Sequence, residues 1–344
     1  MAPASPQSIG FAVIGAGAFG SNHLRVIREL GAGSGDSVRL VAIVESDPAR
    51  RQALHAAFPN SRIFHDVDAC IAASALGEIE LHAASVCVPT SAHAAVASAL
   101  LQAGIDVLVE KPIAPSLAEA DALIELASRH QRILQVGHLE RFNPAVLAVH
   151  PYIHMPMFFE AHRLSIFTPR SLDVDVILDL MVHDLDIVLS LVQSPVHSLQ
   201  AVGLPVLSRK VDIANVRIEF ASGCVANFTA SRVSTERVRK LRFFQPHQYV
   251  SIDYARQDLL FIDVKPQDGA PSPASMLSGL ALSKPAVAQG EPLRLEIESF
   301  LESVRTRQQP QVTGQQGRAA LALALEINAA MAEHATRARL DRFI

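Results

Sequence analysis

Up to Gly137 the chain alternates two patterns: compact apolar runs, and stretches in which apolar residues recur every three or four positions. The runs at 11–14, 38–44, 62–64, 83–88, 105–109 and 133–136 predict strands. The stretches at 19–30, 48–58, 66–75, 91–103 and 116–130 predict helices between them. Asp66 or Asp68 starts one helix, Gly104 stops another, and Ser116 with Glu119 has the form of a capping box. Strands that are apolar throughout are buried on both faces. The pattern therefore predicts a doubly wound α/β fold, a parallel sheet with helices on both sides.

Beyond Gly137 the pattern changes. Positions 158–164 predict a strand and 176–192 a long helix. Segments 199–207, 214–220, 224–231, 238–244 and 250–254 follow, several alternating apolar and polar residues, with a hairpin turn at Ala221-Ser222-Gly223. This predicts an antiparallel sheet with one apolar and one polar face. Residues 267–292, rich in Pro, Ser, Gly and Ala, read as a long loop, and 293–307 and 317–337 as two closing helices. The expected division is 1–137, a nucleotide-binding domain, and 138–344, an α+β domain with a large open-faced, mostly antiparallel sheet. The C-terminal helices are free to pack back toward the first domain.

The turn after the first strand reads Gly15-Ala16-Gly17-Ala18-Phe19-Gly20, a G-x-G-x-x-G between strand and helix as in a Rossmann domain. Gly15 permits the tight turn, Gly17 lets the backbone approach a pyrophosphate, and Gly20 lets the helix pack on the strand. Ala18 and Phe19 lie where the helix N-terminus offers N–H groups and positive potential to phosphate. Alone, such a turn is as often only a turn. Glu45, closing the second strand, changes that. An acid there accepts both ribose hydroxyls and repels a 2′-phosphate, which favours NAD. Ser46, Arg50 and Arg51 keep NADP as the less favoured cofactor.

A chain of 344 residues can form two cores. Its 49% hydrophobic and 19% charged residues describe a folded globular protein. A net charge of −4 lacks the basic footprint of a nucleic-acid binder. No apolar run approaches the ~18 residues of a membrane span. The first eight residues lack the regions of a secretion signal, and Cys70, Cys87 and Cys224 show no metal-ligand spacing. These features predict a cytoplasmic protein with reduced thiols and no metal.

Three places carry candidate chemistry. Glu110-Lys111-Pro112 closes the fifth strand, where a doubly wound sheet presents ligands, so Glu110 and Lys111 can meet the cofactor and the lysine can also hold a substrate hydroxyl. It is one of five lysines against 25 arginines, and as an ordinary surface lysine it would need no role. Asp179 and His183, four apart in the long helix, share a face, and a carboxylate beside an imidazole suits a general base. A helix-surface ion pair and a metal site are the other readings of these two with Asp186. Pro89, Thr90 and His93, in the stretch after the fourth strand, can meet the nicotinamide half of a cofactor, with Ser91 as a helix N-cap. Glu140, Arg141 and Asn143 lie at the crossover between domains, where Asn143-Pro144 can equally cap the next helix. Arg163 and Arg170 can meet a diphosphate or stay solvated.

IGAGAFG with a following His23, PTSAH, GIDVLVEKP, DLMVHDLD and LEIESFLESVR occur in this order over nearly the whole chain. Together they resemble the Gfo/Idh/MocA family of NAD(P)-dependent sugar and inositol dehydrogenases. The resemblance implies hydride transfer at a ring carbinol, with Lys111, Asp179 and His183 on the catalytic positions. It also implies a sugar or nucleotide-sugar substrate meeting Lys111, Glu140, Arg141, Asn143, Arg163, Asp179 and His183. Met181 stands where many members have glycine in D-x-G-x-H, and is expected to narrow the pocket. GHLERFNPA and RLSIFTPRSLDVDVILDLMVHDLDIVL are similar to the UDP-N-acetylglucosamine 3-dehydrogenase subgroup. A dehydrogenase of another sugar, inositol or UDP-sugar uronate, and a non-catalytic NAD(P)-binding sensor, are the alternative readings. The one-sided sheet implies a homodimer or homotetramer through its open face.

Overall fold

A computed structural model describes residues 8–33, 38–168, 174–264 and 279–340. Contacts divide the chain into two units, Met1–Leu139 with Leu293–Ala319, and Glu140–Pro292 with Ala320–Ile344.

The first unit is built on β1 (Ile9–Ile14), β2 (Val38–Val44), β3 (Arg62–Phe64), β4 (Ala83–Val86), β5 (Asp106–Glu110) and β6 (Leu134–Gly137). They lie parallel in the order β3-β2-β1-β4-β5-β6. Successive connections leave in opposite directions from β1 and β4, which opens a crevice at the strands' carboxyl ends. Every residue of β1 is buried, as its unbroken apolar run requires. Helices α1 (Gly20–Gly31), α2 (Pro48–Ala57), α3 (Val67–Ala75), α4 (Thr90–Gln102) and α5 (Leu117–Arg129) connect the strands.

Local chemistry sets where these helices begin. The Asp47 side chain accepts from the Ala49 and Arg50 N–H groups, Asp66 from Ala69, and Ser116 from Glu119. The Ser116 hydroxyl also donates to Glu119 Oε2 at 2.6 Å, so this box closes on the hydroxyl. Ser91 is not an N-cap. The chain turns helical directly after Pro89, so Ser91 falls inside the first turn, and no side chain caps α4.

The helix α8 (Pro292–Thr306) also supplies this core. Its Leu293, Ile297, Phe300, Leu301 and Val304 recur on one face and are buried with Ile9, Phe11, Leu24 and Ile27. Phe300 meets Phe11 edge to face at 6.1 Å. Burying such a ring stabilises by about 1.5–3 kcal/mol; truncating it to alanine costs about 3–5 kcal/mol, because a cavity is left as well.

The second unit contains the short α6 (Pro144–Val149), then β7 (Phe158–Leu164), α7 (Val182–Val192) and β8 (Val196–Leu204). After these come β9 (Ile213–Phe220), β10 (Val225–Ser231), β11 (Val238–Gln245), β12 (Gln248–Asp253), β13 (Asp258–Val264) and β14 (Leu280–Ser283). The strand order is β14-β13-β12-β11-β7-β10-β9-β8, antiparallel throughout except for β7 beside β10. Along β9, Ala214, Val216, Ile218 and Phe220 are buried while Asn215, Arg217 and Glu219 are exposed, so the sheet has one core face and one open face. Leu185 and Val188 of α7 join that core, as do Leu323, Ala324 and Ile327 of α9 (Gly314–Ala338).

Two features depart from the sequence pattern. The stretch read as a loop at 267–292 contains β14, a short edge strand that exists by pairing with β13 rather than by its own propensity. The predicted helix at 176–192 opens as a π-helical turn, Ile177–Met181, before α7. Among the described residues no helix is long and apolar enough to cross a membrane.

Candidate active site

The glycine turn joins β1 to α1 with each glycine in a different setting. Gly15 has φ +90°, and a Cβ there would lie 2.9 Å from the Cys87 carbonyl oxygen. At Gly20 a Cβ would lie 1.9 Å from the Gly15 oxygen. At Gly17 the nearest atom would be Arg50 Nη1 at 3.9 Å, so the backbone is open there. Ala18 and Phe19 are exposed beside it. No side chain caps α1 and no acid sits in its first turn, which leaves its amides and positive end for an anion.

Glu45, just past β2, is 5% exposed. Its Oε2 accepts from the Ala16 N–H at 3.1 Å and its Oε1 from the Asp47 N–H at 2.9 Å. Each oxygen keeps a lone pair for a ribose hydroxyl. Arg51 donates to the carbonyls of Glu45 and Ser46, and Arg50 Nη1 lies 3.9 Å from Glu45 Oε2. The open Gly17, the uncapped helix and the oriented carboxylate fit the pyrophosphate and adenosine ribose of NAD.

Past the ends of β4 and β5, Pro89 is exposed and Thr90 and Lys111 are half-buried. His93 is 1% exposed, and its ring nitrogens face the carbonyls of Pro112 (2.8 Å) and Val88 (2.9 Å). Burial lowers its pKa from the ordinary 6.5, against the pull of both carbonyls and Glu110. The sequence reading set His93 at the nicotinamide; the fold turns both its nitrogens toward backbone carbonyls, and the single N–H of the neutral ring donates to one of them. Glu110 meets His23 Nε2 at 3.0 Å. His23, Cys87 and Glu110 bring one donor atom each within 4.8 Å of one another. Burial, then Glu110 and Glu296, push the Cys87 thiol well above its usual range.

In the second unit Arg163 is almost wholly buried on β7. It reaches both Asp184 oxygens, from Nε at 2.7 Å and Nη2 at 3.0 Å, and Glu140 Oε1 from Nη1 at 3.0 Å. Burial alone would lower its pKa, but the Asp184 and Glu140 carboxylates raise it, so it stays charged. The Tyr254 ring lies 5.2 Å from its guanidinium carbon. Asn143 donates to Glu140 Oε2 and the Tyr254 carbonyl, and accepts from the Ala145 N–H as the cap of α6. Arg141 lies 3.5 Å from Asp186. Expected at the substrate, Glu140, Asn143 and Arg163 instead meet one another, since the Arg163 guanidinium and the Asn143 amide supply the donors that the Glu140 and Asp184 carboxylates lose out of water. Arg170 lies outside the described residues.

His183 begins α7 half-buried, and Asp179 sits in the π turn before it. Asp179 Oδ2 lies 4.0 Å from Arg232 Nη2. The buried Arg232 donates to the Val174 carbonyl, and its Nε lies 3.9 Å from Asp212. Asp212 is buried, yet bonds from the Ser208 hydroxyl and the Val206, Leu207 and Ser208 N–H groups hold its carboxyl below the usual range. Met181 is 1% exposed in the second unit's hydrophobic core. Sequence reasoning missed Arg232, Asp212 and Tyr254, since nothing in their spacing pairs them.

A parallel sheet in this order, a glycine turn open to pyrophosphate and a following α+β unit define a dinucleotide-dependent oxidoreductase. The chain belongs to the Gfo/Idh/MocA oxidoreductase family. The model described as "Oxidoreductase family, NAD-binding Rossmann fold" matches residues 9–138, and the GFO/IDH/MocA C-terminal domain matches 148–245. The chain is 35% identical over 320 residues to a UDP-N-acetylglucosamine 3-dehydrogenase of Acidithiobacillus ferrooxidans, covering 93% of this chain and 96% of that one. A solved structure of UDP-N-acetylglucosamine 3-dehydrogenase from that organism gives a TM-score of 0.83 at 33% identity, covering 94% of this chain and 97% of that one. An inositol 2-dehydrogenase of Rhizobium meliloti is 26% identical over 334 residues, 92% of this chain and 95% of that one.

Proposed function

We propose that the protein oxidises the 3-hydroxyl of UDP-N-acetylglucosamine to the 3-keto sugar. The observation that carries this reading is the match to a UDP-N-acetylglucosamine 3-dehydrogenase along 93% of the chain. NAD+, when bound, accepts the hydride from the carbinol carbon. His183 takes the hydroxyl proton, and Asp179 favours the imidazolium that results. Lys111 donates a hydrogen bond to a substrate oxygen and stabilises developing negative charge. The buried set of Glu140, Asn143, Arg163 and Asp184 holds the start of α7, which carries His183.

The enzyme works in the cytoplasm, with Cys70, Cys87 and Cys224 as reduced thiols. It assembles as a homodimer or homotetramer through the open face of the second sheet, where Glu160, His162, Asn215 and Arg217 line a broad polar groove.

Turnover is read as NADH absorbance with NAD+ and UDP-N-acetylglucosamine, against free polyols and other UDP-sugars. The Lys111→Ala and His183→Ala proteins are expected to lose turnover and keep NADH binding. Wild-type turnover in both, or oxidation of a polyol in preference to the UDP-sugar, would overturn the assignment.

A further inference from the structure

Lys111 stands between two residues that are each held by a buried histidine from a different helix. On its N-terminal side, Glu110 Oε1 meets His23 Nε2 of α1 at 3.0 Å. His23 is fully buried, and its Nδ1 has no partner among the described residues. A carboxylate only accepts, so the His23 nitrogen facing Glu110, Nε2, is the one that carries a proton. The Glu110 carboxylate has no slack on its other side: a Cβ at Gly137 would come within 2.9 Å of it. On the C-terminal side, the Pro112 carbonyl meets His93 Nδ1 of α4 at 2.8 Å, and His93 Nε2 faces the Val88 carbonyl at 2.9 Å.

Both neighbours of Lys111 are thus tied to other parts of the same crevice. His23 leads to α1, whose N-terminus forms the pyrophosphate cradle. His93 leads to Val88, which directly precedes Pro89-Thr90. The peptide neighbours of a residue set the direction of its Cα–Cβ bond, and a four-carbon side chain amplifies any error there.

We propose that His23 and His93 are positioning residues for Lys111, a two-sided clamp that aims the amine without touching substrate. The proposal rests on the reading of Lys111 as the group that holds the substrate oxygen. A displacement of about 1 Å at a reacting group can reduce rate on the order of 100-fold. The clamp therefore acts on kcat rather than on binding.

The test is a double-mutant cycle with purified full-length protein, NAD+ and UDP-N-acetylglucosamine. His23→Ala and His93→Ala are each expected to lower kcat by about 10- to 100-fold, with KM and NADH affinity within about threefold. His23→Gln, whose amide still donates to Glu110, is expected to recover most of that loss. In a Lys111→Ala background neither histidine substitution is expected to cost more than about a further twofold, since a group acting through the lysine has nothing left to aim. Losses that add in full to that of Lys111→Ala overturn the clamp, as do alanine variants with unchanged kcat. Where an alanine variant fails to fold, His23→Leu or His93→Met fills the site without hydrogen bonding and enters the same cycle. Wild-type turnover in Lys111→Ala alone overturns the lysine's role instead, and the clamp with it.

Discussion

Replacing Arg163 with methionine removes a guanidinium and leaves its partners in place. Three nitrogen–oxygen contacts of 2.7–3.0 Å tie Arg163 to Asp184 and Glu140. The Arg163 and Asp184 side chains expose 4% and 3% of their surface, so water cannot take over the solvation of the stranded carboxylate. Methionine fills most of the aliphatic volume, which keeps the cavity contribution small. Removing one partner of a buried pair costs about 3–5 kcal/mol. For a unit of 150–250 residues each kcal/mol moves Tm by about 2–4 °C, so Arg163→Met is expected to lower Tm by about 6–20 °C. The assay is thermal unfolding followed by circular dichroism or calorimetry. Adding Asp184→Asn to that variant removes one of the two stranded charges and is expected to raise Tm part of the way back, a coupling that the cycle reads directly. A fall of less than about 3 °C, or a double variant weaker than Arg163→Met, would refute the picture of a closed ion network.

The other expectations concern cofactor and proton. Gly17→Ala meets open space, so stability is expected to change by no more than about 0.5 kcal/mol, while NADH binding weakens at least about tenfold as an amide–phosphate bond of about 1.5–3 kcal/mol is lost. Gly20→Ala places a methyl against the Gly15 carbonyl and is expected to lower the urea midpoint; equal behaviour of the two variants would contradict the division of labour in the turn. His93 has its pKa lowered by burial, so below the ordinary 6.5 the unfolded chain takes up a proton that the native site refuses. Stability is therefore expected to fall as pH drops from 6.5 toward the lower native value, and to be unaffected by this group above 6.5. Urea midpoints at about pH 7.5 and about pH 5.5 measure this, and His93→Gln should show a smaller difference.

What the sequence made legible depended on how local each signal was. β1 and the glycine turn could be read because an unbroken apolar run and a fixed glycine spacing are complete within a dozen residues. The caps Asp66 and Ser116 are equally local. β14 could not be read, since its strand character comes from β13 rather than from its own residues. The π turn ahead of His183 escaped because Ile177–Met181 has ordinary helical composition. From its neighbours in sequence Arg163 read as a cation that meets a diphosphate or stays solvated. Its partners Glu140 and Asp184 lie more than twenty positions away on either side, and only the fold shows that its charge is enclosed.

The helix that brings Phe300 against Phe11 is separated from it by nearly the whole chain. Residues 1–139 are therefore not a self-sufficient nucleotide module, although they contain every strand of the parallel sheet. During synthesis Ile9, Phe11 and Ile27 must wait, with one flank uncovered, until the stretch around Phe300 leaves the ribosome. The second unit lies between those two events in the chain, so the two units mature as interleaved pieces of one polypeptide, not as beads on a string.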